Sequence, residues 1–256
     1  RIPEVEPVSR PATGRRIDIR RGLIYEGASF TPKSLPGLLL WLRADLGITL
    51  AGSKVSAWAD QSGNGYDFAQ GTDARRPVFN AGSATFSGQP CAQYAAGQIL
   101  SSLAALPACP AGVTFVMAIG NTPSQNTVLM EIGSGGTDAG GIYIDGPIRY
   151  RGLYNKGGFT QHAFTGPPAS SSLCVSIDPS VAAANQVRSY VDDVVGASIG
   201  ALAGIGTLVS AVWDLGARAP LIVPCTADIA EVIVVNRVLT AAERAQVTAY
   251  QVGRFG

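Results

Sequence analysis

Charge is scarce in this 256-residue chain: Asp, Glu, Lys and Arg make up 14% of it, and their sum is +1 at neutral pH. Soluble chains ordinarily carry about a quarter. A field this weak excludes a protein drawn as a whole to nucleic acid or anionic lipid. It suits a molecule held in an assembly or an extracellular matrix. Histidine occurs once, at His162. No apolar run is long enough for a membrane-spanning helix. The four cysteines (Cys91, Cys109, Cys174, Cys225) stand too far apart for a C-x-x-C zinc or redox motif. They read either as small buried apolar residues or as one or two disulfides, with three pairings open. P-loop, Rossmann and zinc signatures are missing. The first residues are polar and proline-rich, without a signal-peptide pattern. The chain begins at Arg1, as a processed or trimmed product would.

What is present points to strands. Hydrophobic residues reach 46%, ample for one large core, and 31 glycines with 16 prolines suit many strands joined by tight turns. From residue 37 onward, short apolar or alternating runs are punctuated by Gly, Pro, Asn, Asp and Ser. Strands are expected at Leu38–Arg43, Lys54–Ala59, Gln93–Ala95, Val113–Ile119, Val128–Ile132 and Gly141–Ile144. More follow at Ile148–Leu153, Leu173–Ile177, Gln186–Asp192, Thr207–Leu215 and Ile229–Val235. That spacing is the signature of an antiparallel sandwich, not of βαβ units. Asp145-Gly146-Pro147 and Asp192-Asp193 each separate two runs as a hairpin turn would. One helix is signalled near 240–252, because Thr240-Ala241-Ala242-Glu243 spells a capping box.

Residues 1–34 differ from the rest. They hold three more basic than acidic residues, and prolines at 3, 7, 11 and 32 break any helix. We read them as an extended arm, with Arg10, Arg15, Arg16, Arg20 and Arg21 able to pair with carboxylates on a partner. The domain boundaries are 1–34 for the arm and 35–256 for the sandwich.

Two stretches carry a family likeness. One is Leu40-Trp41-Leu42-Arg43-Ala44-Asp45 followed by Lys54-Val55-Ser56-Ala57-Trp58-Ala59-Asp60-Gln61-Ser62-Gly63-Asn64-Gly65. The other is Ile229-Ala230-Glu231-Val232-Ile233-Val234-Val235-Asn236-Arg237-Val238-Leu239-Thr240. Together they resemble the opening and closing strands of concanavalin-like, laminin-G-like jelly rolls of bacterial surface proteins and phage virion proteins. The resemblance implies an all-β, two-sheet antiparallel jelly-roll sandwich closed by one short C-terminal helix. It further implies carbohydrate binding or structural decoration, and in some members Ca2+. The arm has no counterpart in it.

Gly196-Ala197-Ser198-Ile199-Gly200 matches the nucleophile-elbow pattern, but no helix signal follows it and the histidine precedes it. Asp60 and Asn64 offer half of a calcium loop whose twelfth position is Gly71 instead of Glu, so Ca2+ is a weak reading and the turn a better one. No E-x-D-x-x-E glucanase triplet occurs; Asp228 and Glu231 are the nearest acids. Tyr150, Arg151, Tyr154, Gln161 and His162 supply the residue types of an alginate-lyase site, loosely spaced. Trp41 and Trp58 read as core. Glu231, alone in an apolar strand, either faces solvent or pairs with an arginine such as Arg237. The best ligand candidates are Tyr143, Asp145, Arg149, Tyr150, Arg151, Tyr154, Asn155 and His162, because sugars are held by aromatic faces with Asp, Asn and Arg on their hydroxyls.

The expectation is therefore a non-enzymatic structural or adhesion protein of a phage particle. Residues 1–34 would bind other virion subunits, and the sandwich a host surface polysaccharide. No catalytic residue, resident cofactor, nucleic acid or membrane insertion is expected. The alternatives are a secreted or cell-surface bacterial carbohydrate-binding module and a polysaccharide lyase or hydrolase.

Overall fold

The computed structural model describes residues 30–121, 127–132, 139–145, 149–155, 159–165, 170–199, 208–218 and 225–256. Its strands in chain order are β1 (Leu38–Arg43), β2 (Ile48–Ala51), β3 (Lys54–Trp58), β4 (Phe68–Ala69), β5 (Val78–Asn80) and β6 (Cys91–Tyr94). Then come β7 (Leu100–Ser102), β8 (Val113–Gly120), β9 (Thr127–Ile132), β10 (Ala139–Asp145), β11 (Arg149–Asn155) and β12 (Phe159–Thr165). The last are β13 (Ser170–Ile177), β14 (Val187–Val191), β15 (Val194–Val195), β16 (Ala197–Ile199), β17 (Trp213–Leu215) and β18 (Ala227–Val235), followed by helix α1 (Ala241–Phe255).

All pairings are antiparallel and build two sheets. The first runs β15-β14-β13-β8-β18-β1. The second runs β4-β7-β17-β9-β10-β11-β12-β16. Strand β6 continues the ladder beside the start of β18, and β5 and β3 carry it round to β4, with β2 on the outer side of β3. The molecule is thus an all-β sandwich with one C-terminal helix among the described residues.

Alternation along β8 explains the layering. Phe115, Met117 and Ile119 enter the inter-sheet core with Trp58, Phe68, Leu129 and Trp213. Val116 points the other way, to a second cluster with Trp41, Ile233, Val235, Leu239 and Val247 of α1. Strands β8 and β18 are buried along their whole length because one face meets the second sheet and the other lies under the helix and its flanking chain. At about 1.5–3 kcal/mol per large apolar side chain, this double burial dominates the fold's stability.

Local chemistry fixes the ends. The turn after β3 is built on Asp60, whose carboxylate accepts from Trp41 N (3.0 Å), Ser62 N (2.8 Å), Ser62 Oγ (2.6 Å) and Tyr66 N (3.2 Å). Asn64 Nδ2 donates to Leu38 O and Leu39 O, clasping the turn onto β1. The capping box at α1 is present: Glu243 N donates to Thr240 Oγ1 (3.3 Å), and Thr240 N to Glu243 Oε2 (2.9 Å). Asp192 and Asp193 both adopt positive φ, at 50° and 62°, the geometry a tight β14–β15 turn demands.

Two expectations need correction, and one open alternative is decided. The strand expected over Thr207–Leu215 is limited to Trp213–Leu215; before it, Leu208 and Ala211 make only isolated bridges to Cys109 and Leu106. Glu231 neither faces solvent nor pairs with Arg237, which instead grips Glu243 at 2.6 Å. A bulge between Ile229 and Glu231 is the reason. Ala230 is the extra residue, so Glu231 turns to the helix side instead of following Ile229 into the core. There it is fully buried and accepts from Trp41 Nε1 (2.8 Å), Tyr250 OH (2.8 Å) and Gln251 Nε2 (3.0 Å). Of the two readings open for the four cysteines, the first holds: all are buried free thiols. Burial pushes their pKa up, to about 11 for Cys109 and about 12 for the others. Residues 1–29, with all five candidate arm arginines, lie outside the described residues.

Candidate functional site

The outer face of the second sheet carries a polar cluster inside an otherwise apolar strand set. Its origin is a second bulge. Register shifts between Ile142 and Tyr143 as β10 passes β9, so Leu129 and Met130 both stand opposite Ile142. Both then join the inter-sheet core, while Val128 and Glu131 fall on the opposite face, Val128 against Tyr143. Ladder neighbours extend the row: Glu131 lies opposite Asp214, and Asp214 opposite Ser101, whose Oγ donates to Asp214 Oδ1 at 2.7 Å.

Glu131 is fully buried, yet its charge is compensated. Arg218 Nε donates to Oε2 at 2.7 Å and Nη2 to Oε1 at 2.8 Å, a bidentate pair. The Tyr143 hydroxyl also donates to Oε1. Arg218 Nη2 approaches the same hydroxyl at 3.2 Å, and its guanidinium lies 5.6 Å from the Tyr143 ring centroid. Burial, reinforced by the Glu131 carboxylate, holds the Tyr143 hydroxyl protonated far above its usual range. The hydrogen bonds to Glu131 keep Arg218 charged. Opposite Glu131 stands Gly141, where a Cβ would lie 2.1 Å from Met130 O, so the strands approach only because no side chain intervenes. An acid tied up by a guanidinium and a phenol is a poor general base or nucleophile. It is a good clamp, fixing a buried aromatic ring beside a partly exposed cation.

The sequence candidates are distributed around this clamp. By backbone register Tyr143 pairs with Arg151 and Asp145 with Arg149, while Asn155 falls in the same β11 alternation. Tyr150 and Tyr154 take the opposite alternation, and so does His162, which stands opposite Gly152. Of the eight, Tyr143 alone has a described side chain, and it joins the clamp. Ser101, Glu131, Asp214 and Arg218 escaped sequence reasoning. The usable signal was an acid inside an apolar strand, seen twice, in Leu129-Met130-Glu131-Ile132 and in Trp213-Asp214-Leu215.

The other candidates take up structural positions. Ser198 lies in the middle of β16 opposite His162, in an extended strand and not on a sharp strand-to-helix elbow. Asp60 and Asn64 spend their polar atoms on the turn described above, and no group of three or more His, Cys, Asp or Glu able to hold a metal exists among the described residues. Asp228 accepts from Gln93 Nε2 and Asn121 Nδ2 and has its pKa raised by burial. Glu231 is committed to the helix.

Comparison with known proteins bears on the scaffold. No protein-family model and no curated protein matches the sequence. Solved structures do match. The receptor-binding domain of botulinum neurotoxin type G superposes with a TM-score of 0.56 at 14% identity, over 84% of this chain and 52% of that one. The Trypanosoma rangeli sialidase in complex with the inhibitor DANA gives 0.56 at 15% identity, over 87% of this chain and 34% of that one. A serotype D/C neurotoxin binding domain gives 0.52 at 10% identity, over 86% and 53%. This chain shares their β-sandwich fold. It spans about half of each neurotoxin domain and about a third of the sialidase, and at these identities the likeness is one of fold alone.

Proposed function

We propose that this chain is a non-enzymatic, lectin-like adhesion module that binds a surface polysaccharide with the outer face of its second sheet. The observation that supports the reading is the β10–β11 backbone register, which pairs Tyr143 with Arg151 and Asp145 with Arg149 and sets Asn155 in the same alternation, next to the Glu131–Arg218 pair. Aromatic, carboxylate, amide and guanidinium groups on one pleated surface are the groups that hold sugar rings and their hydroxyls. Receptor-binding domains among the structural neighbours support a binding role over a catalytic one. The scarcity of charge, the Arg-rich arm and the likeness of both end motifs to virion proteins support the finer reading: the sandwich is displayed on a bacteriophage particle, and residues 1–34 anchor it to other subunits.

The test is a contrast of faces on a bacterial polysaccharide panel. Arg151→Ala and Asp145→Ala are expected to lose binding at least tenfold, with thermal midpoints unchanged. Tyr154→Ala, on the other alternation, is expected to alter stability more than affinity. The reverse pattern would refute this face as the binding surface.

A further inference from the structure

Strand β2 lies at a sheet margin: it pairs with β3 on one side and with no strand among the described residues on the other. Main-chain geometry shows which of its groups face outward. Gly47 O accepts from Ala59 N at 2.8 Å, and Thr49 O accepts from Ser56 Oγ at 3.0 Å, so both turn toward β3. Alternation then aims the N–H and C=O of Ile48 and Leu50 away from the sheet. The bulge in this pair sits on β3, where Ser56 stands opposite no β2 residue, so β2 itself is regular. Side chains alternate as well. Leu46, Ile48 and Leu50 line one wall of a groove of about 280 Å3, facing Phe79, Ala81 and Pro90. Leu46 and Leu50 are 48% and 45% exposed. Thr49 projects from the other face and is exposed.

An open edge recruits further strands, and proteins ordinarily block it with charges, prolines, bulges or covering chain. The edge of β1 is blocked in this way. Trp41 N donates to Asp60 Oδ1 (3.0 Å), Trp41 O accepts from Gln61 N (2.7 Å), and Asn64 Nδ2 donates to Leu38 O and Leu39 O. The edge strand β15 is only two residues long. No such device guards β2. Gly47-Ile48-Thr49-Leu50-Ala51 contains neither charge nor proline. Charges of both signs flank it: Asp45, held by Arg43 and Arg254, precedes the strand, and Lys54, held by Asp73, follows it. An uncharged strand with an acid before it and a base after it is complementary to its own reverse.

We propose that β2 is the interface with a second copy of this chain, the two strands pairing antiparallel about a two-fold axis at Thr49. The outward groups select this register. Centring on Ile48 would need Leu46, whose N–H is spent on Arg43 O, and centring on Leu50 would need Gly52, a turn residue at φ +65°. Centred on Thr49, Ile48 of each copy exchanges both hydrogen bonds with Leu50 of the other, and the two Thr49 residues face each other as the non-hydrogen-bonded pair between them. Ile48 and Leu50 side chains then meet across the seam and carry the apolar groove wall from one copy into the next. Asp45 falls opposite Ser53 and beside Lys54 of the second copy, so the nearest charges along the seam are of opposite sign. The contact is isologous and closes at two copies. It stands apart from the glycan and virion readings.

Sedimentation of the full chain over a range of protein concentrations tests it, with a reversible dimer expected. Thr49→Lys sets like charges on the axis and is expected to raise the concentration needed for the dimer severalfold. Its thermal midpoint is expected to stay unchanged, because Thr49 is exposed. Thr49→Glu is expected to behave the same way, and mixing the two variants to restore the dimer as a hetero-pair. A non-hydrogen-bonded pair brings its Cα atoms to about 4.5 Å, within disulfide reach, so oxidised Thr49→Cys is expected to link two copies. Ala51→Cys faces Gly47 of the second copy in this register and is expected not to link; the four native thiols are buried and give a low background. A chain that stays monomeric at every concentration would overturn the proposal and assign the edge to another occupant. A dimer indifferent to both charge variants, or equal linking through Ala51→Cys, would overturn it too.

Discussion

Glu231 is the sharpest probe of how this sandwich holds its helix. Replacing it with Ala removes the acceptor of Trp41 Nε1 and Gln251 Nε2, both in buried hydrogen bonds, and of the half-buried Tyr250 hydroxyl. Each stranded buried donor costs about 1–3 kcal/mol. Two of them give about 2–6 kcal/mol, offset in part because a buried carboxylate no longer has to be desolvated. A net loss of about 2–4 kcal/mol is expected. Glu231→Gln keeps the shape and one acceptor oxygen, but its new amide faces the Gln251 amide. Gln251 cannot simply flip, because its Oε1 accepts from Ser172 Oγ at 2.7 Å. A loss of about 1–2 kcal/mol follows for Gln. Urea unfolding followed by tryptophan fluorescence measures both, with the m-value expected to stay constant. The pH dependence carries a definite sign. Burial raises the native pKa of Glu231, against the opposing pull of its hydrogen bonds. The native state therefore takes up a proton before the unfolded chain does, and this group's contribution to stability grows as pH falls toward the unfolded value. An Ala variant within about 0.5 kcal/mol of the wild type would refute the reasoning, since surface changes without a buried partner fall in that range.

Glu243 behaves oppositely. Its hydrogen bonds from Arg237 and the Thr240 backbone hold its pKa near about 2, so its stabilisation is present above about pH 4.5 and fades as pH falls toward 2; a Glu243→Gln variant is expected to flatten that part of the acid-unfolding curve. Gly216→Ala is expected to cost at least about 2 kcal/mol in urea unfolding, because φ is +89° and the new Cβ would lie 2.1 Å from the Tyr94 ring. Asp60→Ala is expected to cost about 2–4 kcal/mol through its lost backbone acceptor role, equally with and without millimolar Ca2+; a thermal midpoint that rises strongly with Ca2+ only while Asp60 is present would reverse that assignment.

The parts of this molecule that were legible in its sequence are those decided by neighbours along the chain. The capping box at Thr240 and Glu243, the Asp192-Asp193 turn and the Asp60–Gly65 turn each contain their own hydrogen-bond logic within a few residues. Long strands such as Val113–Gly120 and Ala227–Val235 announce themselves by their predominantly apolar content. Strands β2, β4, β5, β7 and β16 were not foreseen, being two to four residues long and assembled by the ladder around them; β12 was missed although it is seven residues long, because Phe159-Thr160-Gln161-His162-Ala163-Phe164-Thr165 is largely polar. The clamp was missed for a different reason. Arg218 meets Glu131 across 87 residues of sequence, and the encounter depends on a single bulge that moves Glu131 to the outer face. The bulge at Ala230 misled in the same way, since strict alternation would have aimed Glu231 at the core. Period-two reasoning does not anticipate an extra residue in one strand.

The central claim is that this sandwich binds a polysaccharide without cutting it. The direct measurement incubates the purified chain with a panel of bacterial surface polysaccharides, recording retention on each polymer and the polymer's size and reducing-end count over time. Retention on at least one polymer is expected, lost in Arg151→Ala, with chain length and reducing ends unchanged. Depolymerisation of a bound polymer, or no retention on any polymer by a correctly folded chain, would contradict it.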